Sequence, residues 1–133
     1  MEKMATENLK TPATVQKRKL LIVEDEGEMC FLINLLLAGR EFEIEHVKSI
    51  AAAVEYLQQE QPAVVLLDNR LPDGYGLDFI SFLKEKYPST KIIMITGADA
   101  EAKDVAIENG ADLFLEKPFN KQQLWQSVHG LLN

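Results

Sequence analysis

The stretch Val64-Val65-Leu66-Leu67-Asp68 consists of four apolar residues followed by a carboxylate. Two further runs, Leu20 to Val23 and Ile92 to Ile95, have the same continuously apolar character. Such a run is typical of a strand buried on both faces, whereas a strand with one face in water alternates apolar and polar residues. Strands buried on both faces occur in parallel sheets covered by helices. The three runs therefore predict the centre of a parallel sheet.

Two weaker runs predict the edges of that sheet. Residues Phe42 to Val47 alternate in polarity, and the run Leu113-Phe114-Leu115 is short. Between the runs lie helix-length segments with apolar residues at the i, i+3, i+4, i+7 spacing of one buried stripe. One such stripe consists of Ile50, Ala53, Val54 and Leu57. Five strand–helix units with right-handed crossovers predict a doubly wound α/β fold, a five-stranded parallel sheet with helices on both faces.

The chain has 133 residues, 47% of them hydrophobic, which corresponds to one domain with one sizeable core. Residues 1–18 carry four Lys or Arg against two Glu and show no helical or strand periodicity. We therefore expect a mobile N-terminal tail at 1–18 and a folded domain at 19–133.

Charge and cysteine content exclude several classes of protein. A net charge of −7 disfavours direct binding to nucleic acid, because such domains cluster Lys and Arg on their surface. The single cysteine, Cys30, lies in an apolar stretch, which suits a buried thiol in a reducing compartment. No signal peptide and no window of ~18 apolar residues is present, so we expect a cytoplasmic protein without a membrane span.

Polar residues directly follow the first, third, fourth and fifth predicted strands of the sheet. They are Glu24-Asp25-Glu26, Asp68, Thr96-Gly97 and Glu116-Lys117-Pro118. Because the carboxyl ends of parallel strands meet at one edge, these side chains should line a common crevice. Carboxylates brought this close repel one another by roughly 4 kcal/mol per pair, so the cluster calls for a cation. An all-oxygen ligand set favours Mg²⁺.

The same crevice contains the chemical groups that phosphoryl transfer requires. Asp68 supplies a carboxylate nucleophile at the end of the central strand, Thr96 a hydroxyl and Lys117 an ammonium group. Positioning and charge neutralisation provide most of the catalysis in such reactions. Asp68 is therefore the candidate phosphoryl acceptor.

The ordered motifs of this sequence resemble those of the receiver domains of two-component response regulators. The likeness extends from Lys19 to Asn133 and rests on the order and spacing of several short motifs rather than on any one of them. The motifs are Leu21-Ile22-Val23-Glu24-Asp25-Glu26, Leu67-Asp68-Asn69-Arg70-Leu71-Pro72-Asp73-Gly74-Tyr75-Gly76, Met94-Ile95-Thr96-Gly97 and Glu116-Lys117-Pro118-Phe119. The first acidic position holds Glu, a common variant in that family.

This resemblance implies a flavodoxin-like receiver fold with strand order 2-1-3-4-5 and phosphorylation on Asp68. It also implies that Mg²⁺ is bound by Asp25, Asp68 and the backbone carbonyl of Arg70. Glu24 would contribute to the metal site largely through water.

The remaining motif residues would respond to the phosphoryl group. By the resemblance Thr96 and Lys117 contact its oxygens, and the Lys117–Pro118 bond is cis. Thr96 and Phe114 would form the switch pair. Phe114 lacks the hydroxyl of the Tyr often found there, so we expect its inward rotamer to be favoured even without phosphate.

The implied partners are proteins. A sensor histidine kinase or a phosphotransfer protein would donate the phosphoryl group, and a downstream protein would bind the surface of the last strand and the last two helices. We expect a monomer or weak homodimer and no separate enzymatic substrate. The output would be protein contact, onward phosphotransfer, or a further domain outside this sequence.

Simpler interpretations exist for single residues. Asp68 alone fits a turn or helix cap, and Lys117 alone fits a solvated surface residue. Neither His46 nor His129 has a ligand set around it that suggests a metal. Trp125 fits either core packing or a partner surface, and we favour the latter.

Two rival functions differ in class. Phosphatases of the haloacid dehalogenase type use an Asp nucleophile, but theirs follows the first strand in an Asp-x-Asp motif, whereas Asp68-Asn69-Arg70 follows the third. A pseudo-receiver would keep the fold without phosphorylation. The presence of the complete acidic pair, Glu24 and Asp25, with Asp68, Thr96 and Lys117 argues against it.

Overall fold

The computed structural model describes residues 18–37, 41–97 and 100–132. The five main strands are β1 (Arg18–Val23), β2 (Phe42–Val47), β3 (Val64–Asp68), β4 (Lys91–Thr96) and β5 (Leu113–Glu116). The helices are α1 (Gly27–Leu37), α2 (Ile50–Leu57), α3 (Gly76–Lys86), α4 (Ala100–Glu108) and α5 (Lys121–Leu132). The predicted tail lies outside the described residues, apart from Arg18, which begins β1.

The five strands form one parallel sheet in the order β2-β1-β3-β4-β5. This is the predicted order 2-1-3-4-5, with the two weaker runs at the edges. All residues of β3 are buried, as the continuous apolar run predicted, whereas β2 alternates between exposed and covered positions. The doubly wound α/β prediction is confirmed.

Alternate residues of the central strands pack into two core layers, one on each face of the sheet. Leu20 and Ile22 point into the layer shared with α1 and α5, and Leu21 and Val23 into the layer shared with α2, α3 and α4. Each of these four side chains has at most 1% of its surface exposed. Burying a side chain of this size stabilises the fold by about 2 kcal/mol, so both layers stabilise the strands whose ends meet at the edge of the sheet.

Helix ends follow the local sequence signals. Asn120 and Gln123 form a reciprocal capping box at the start of α5, with both bonds at 2.8 Å. Gly110, just after α4, has φ of 115°, a left-handed conformation that favours glycine. The side chain of Cys30 lies outside what the structure describes.

The register of the sheet brings the ends of β1, β3, β4 and β5 to one edge. Val23 pairs with Leu67, Asp68 with Ile95, and Thr96 with Glu116. The residues that follow these positions therefore gather at the carboxyl edge of the sheet. No helix in the described ranges combines the length and apolarity needed to cross a bilayer.

Candidate functional site

A cleft of ≈ 340 Å³ opens at the carboxyl edge of the sheet. It lies over the ends of β1, β3 and β4 and the turn after β5. Its lining residues are Glu24, Asp25, Glu26, Asp68, Arg70, Thr96, Gly97 and Lys117. The structure thus brings together all the predicted acceptor, hydroxyl, ammonium and metal residues.

Three carboxylates converge in this cleft. One oxygen each of Glu24, Asp25 and Asp68 lies within 4.8 Å of the others. Glu24 and Asp68 are buried, with 2% and 7% of their surface exposed, whereas Asp25 faces solvent. Oxygen donors at this spacing, with one side open to water, fit a hard divalent cation that keeps part of its hydration shell. The donor set therefore fits the Mg²⁺ that the resemblance implied.

Burial changes the proton affinity of the two inner carboxylates. Desolvation, reinforced by the charge of Asp68, raises the pKa of Glu24 to about 7. The pKa of Asp68 is also raised, by burial above all, although Lys117 and the N–H of Asn69 act in the opposite direction. A bound cation would offset the desolvation cost of both charges.

Lys117 brings a positive charge close to the carboxylates of the cleft. Its Nζ lies 3.4 Å from Asp68 Oδ1, 3.7 Å from Glu24 Oε1 and 3.6 Å from Glu26 Oε1. Burial by itself would lower the pKa of Lys117, but the three carboxylates outweigh it and raise the pKa above its usual value. Lys117 is therefore an ammonium ion that points at the candidate acceptor.

The backbone at Lys117 connects it to the neighbouring strand end. The peptide bond to Pro118 is cis, as the resemblance implied. The Lys117 N–H donates to the Thr96 carbonyl oxygen at 2.8 Å. Lys117 and Thr96 thus enter the cleft from adjacent strand ends.

The two switch candidates lie on neighbouring strands. Thr96 ends β4 with 9% of its surface exposed. Phe114, which pairs in register with Met94, is half-buried and packs against the core layer of α2, α3 and α4. Its ring therefore already contacts the core in this structure.

Three residues at the site have contacts to which the sequence assigned no role. Glu26 contacts Lys117, and its N–H donates to Glu24 Oε2 at 3.2 Å. His46 Nε2 lies 2.7 Å from the Glu24 carbonyl oxygen. A Cβ on Gly76 would lie 2.3 Å from the Asp68 carbonyl oxygen, so glycine permits the close approach of α3 to β3. The acidic run signalled Glu26, but nothing local signalled His46.

The other residues singled out in the sequence lie away from the cleft. His129 lies 2.9 Å from both the Trp125 carbonyl oxygen and Glu41 Oε1. The Trp125 ring stacks on His129 with centroids 3.6 Å apart, and 45% of the Trp125 surface stays exposed. Trp125 is thus a surface residue of α5.

The fold and the cleft together define a class of protein, which the comparison with known families identifies. The sequence pattern of the response regulator receiver domain matches residues 20–129. The chain therefore belongs to this family, whose members are phosphorylation-dependent signalling modules with an acidic Mg²⁺ pocket.

Particular relatives agree with the family. The chain is 31% identical over 115 residues to the response regulator protein PilR of Pseudomonas aeruginosa, covering 86% of this chain and 26% of PilR. It is 34% identical over 118 residues to the phosphate regulon transcriptional regulatory protein PhoB of Klebsiella pneumoniae, covering 86% and 52%. The chain thus spans only part of these relatives.

A solved structure shows the same architecture. The receiver domain of NtrX from Brucella abortus superposes with a TM-score of 0.80 at 28% sequence identity. The match covers 85% of this chain and 97% of that one. The family and the fold are therefore established by independent comparisons.

Proposed function

We propose that Asp68 accepts a phosphoryl group in the presence of Mg²⁺ and that the chain is a phosphorylation switch. The observation that carries this proposal is the contact of 3.4 Å between Lys117 Nζ and Asp68 Oδ1 at the floor of a carboxylate-lined cleft. A buried carboxylate with an open side toward solvent can act as a nucleophile. The ammonium group beside it can pair with an incoming phosphoryl oxygen.

The transfer has a simple balance of atoms. An oxygen of Asp68 forms the new bond to phosphorus, and the P–N bond of a phosphohistidine donor breaks. The leaving imidazole keeps the electron pair and takes a proton from solvent. Lys117 and the Thr96 hydroxyl bind the oxygens of the transferred group. Asp25, Asp68 and the carbonyl of Arg70 are the proposed direct metal ligands, and Glu24 would contribute largely through water. Mg²⁺, when bound, would neutralise charge on these carboxylates and on the phosphoryl oxygens.

The partners belong to the same proposal. The donor would be a sensor histidine kinase or a phosphotransfer protein, and the readout would be a protein bound at β5, α4 and α5, where Phe114 and Trp125 lie. PhoB is named as a transcriptional regulator, and this chain spans about half of it. Any binding to DNA would then belong to another domain, because residues 1–133 carry a net charge of −7. We place the protein in the cytoplasm, as a monomer or weak homodimer without a separate substrate reaction.

Acetyl phosphate labelling tests the proposal directly. Wild type incubated with Mg²⁺ and acetyl phosphate should gain the mass of one phosphoryl group in intact-mass measurement. Asp68→Asn should gain none, since an amide cannot form the acyl phosphate. Asp78→Asn makes the same chemical change in the first turn of α3, outside the cleft, and should be labelled like wild type.

The alternatives give different results. Equal labelling of Asp68→Asn and wild type would place the acceptor elsewhere. Folded wild type that stays unlabelled by acetyl phosphate and by phosphohistidine donors would favour a pseudo-receiver. Multiple turnover of small phosphate esters would favour the phosphatase class.

A further inference from the structure

The loop after Asp68 is joined to a helix that is distant in sequence. The N–H groups of Ile50 and Ala51 donate to Asp73 Oδ1 and Oδ2, each at 2.9 Å. Ser49 caps the next N–H group, that of Ala52, at 3.1 Å. One carboxylate thus satisfies two of the free donors at the N-terminus of α2 and spans 23 positions of sequence to do so.

The base of the same loop is closed by Asn69. Its carbonyl oxygen accepts from the Gly76 N–H at 2.7 Å, and its side-chain oxygen accepts from the Leu77 N–H at 3.1 Å. Between base and tip, Arg70–Leu71 pairs with Gly74–Tyr75 as a short antiparallel hairpin. The hairpin is therefore tied at its base to α3 and at its tip to α2.

The tip fits closely against α2. Gly74 has φ of 155°, and a Cβ there would lie 3.0 Å from Ile50 Cδ1. Asp73 thus accepts a hydrogen bond from the first residue of α2, and the side chain of that residue leaves no room for a side chain at Gly74. A hairpin released from this contact would keep only its base attachment.

We propose that Asp73 is a positioning residue for the cation site, because it anchors the hairpin that carries the backbone carbonyl of Arg70. This inference rests on the proposed function, in which that carbonyl is a metal ligand. A hairpin that samples other positions presents the carbonyl only part of the time. The apparent dissociation constant for the cation then rises in inverse proportion to the competent fraction.

The anchoring bonds are of a strong kind. They join an ionised carboxylate to N–H groups at the positive end of a helix, an arrangement that favours the charged form. The pKa of Asp73 is accordingly lowered by the N–H groups of Ile50 and Ala51. The anchor is therefore in place wherever Asp73 is ionised.

The test compares two capping residues of the same helix. Asp73→Ala removes the anchor, and Ser49→Ala removes a cap of α2 without touching the hairpin. The half-saturating Mg²⁺ concentration is measured from amide chemical shifts and from the initial rate of acetyl phosphate labelling. We expect Asp73→Ala to raise the half-saturating Mg²⁺ concentration about tenfold. The labelling rate at saturating Mg²⁺ should change less. Ser49→Ala should lower the melting temperature but leave the half-saturating Mg²⁺ concentration unchanged.

Asp73→Asn separates anchoring from charge. It removes the same charge as Asp73→Ala but keeps one acceptor oxygen, so its half-saturating concentration should lie closer to that of wild type. Equal values for the Asn and Ala variants, or a shift in Ser49→Ala that matches Asp73→Ala, would overturn the inference. An Asp73→Ala variant with the half-saturating concentration of wild type would overturn it as well. A wild-type protein that neither binds Mg²⁺ nor is labelled by acetyl phosphate would instead refute the proposed function.

Discussion

Lys117 Nζ lies 3.4 Å from Asp68 Oδ1, at hydrogen-bond distance from the atom proposed to attack phosphorus. The same ammonium group lies 3.7 Å and 3.6 Å from carboxylate oxygens of Glu24 and Glu26. Without a divalent cation, Lys117 is therefore a counter-ion of these three carboxylates. A cation that enters must share these carboxylates with it.

This shared counter-ion role makes the Mg²⁺ affinity depend on Lys117. Lys117→Ala should bind Mg²⁺ more tightly than wild type, by roughly tenfold at low salt, because a positive charge next to the metal position is removed. Isothermal titration or amide chemical shifts would measure the change. Lys103→Ala, an exposed substitution on α4, is the matched control and should bind as wild type does. A weaker affinity in Lys117→Ala would show that Lys117 organises the carboxylates instead of competing for them.

The raised pKa of Glu24, about 7, predicts how stability changes with pH. Between the usual carboxyl pKa and 7, the folded protein binds more protons than the unfolded chain does. The free energy of unfolding in EDTA should therefore fall as pH rises through this window, by at most about 3 kcal/mol. Urea denaturation at several pH values would measure the slope.

Mg²⁺ and Glu24→Gln provide the controls for this pH dependence. The cation binds deprotonated carboxylates, so saturating Mg²⁺ should remove the fall in stability. Glu24→Gln has no proton to lose and should show a smaller slope in EDTA. An unchanged slope in Glu24→Gln would assign the dependence to another group.

Asp25 is the exposed member of the carboxylate cluster, so its replacement tests the metal site with little effect on the core. Mg²⁺ should raise the melting temperature of wild type, because a ligand that binds only the folded state stabilises it. In Asp25→Ala this increase and the labelling by acetyl phosphate should be lost. Without metal the variant should be more stable than wild type by about 0.5 kcal/mol, since like-charge repulsion is relieved. A wild-type Mg²⁺ response in Asp25→Ala would contradict the proposed ligand set.

Features that depend on one stretch of chain were predictable from the sequence. The buried central strands, the edge strands and the capping box of Asn120 and Gln123 each follow from a local pattern combined with general rules of α/β folds. The strand order was implied by the resemblance to receiver domains. The gathering of Asp68, Thr96 and Lys117 followed because strand ends share an edge. The same rule placed Glu24 and Asp25 beside them.

Features that depend on the approach of distant segments were not predictable. Nothing near Asp73 indicates that its carboxylate reaches α2, because the sequence Pro72-Asp73-Gly74 is also an ordinary turn signal. The contact of His46 with the carbonyl of Glu24 likewise requires β1 and β2 to be neighbours in a known register. Such contacts depend on loop conformation, which single-sequence patterns do not specify.

Gly76, the first residue of α3, lies where the structure leaves no room for a side chain. A methyl group there would lie 2.3 Å from the Asp68 carbonyl oxygen and 3.0 Å from Leu67 Cγ. Neither atom belongs to a flexible side-chain end, so α3 or the end of β3 must shift. Gly76→Ala should therefore lower the free energy of unfolding by at least about 2 kcal/mol and slow acetyl phosphate labelling by displacing Asp68.

Gly130→Ala is the matched control, since no heavy atom lies within 4 Å of the position that its added methyl group would take. This substitution should raise the stability of α5 by about 0.5–1 kcal/mol. Urea denaturation and labelling rates of the two variants would test this prediction. A Gly76→Ala protein as stable and as readily labelled as wild type would show that α3 can shift without loss of stability.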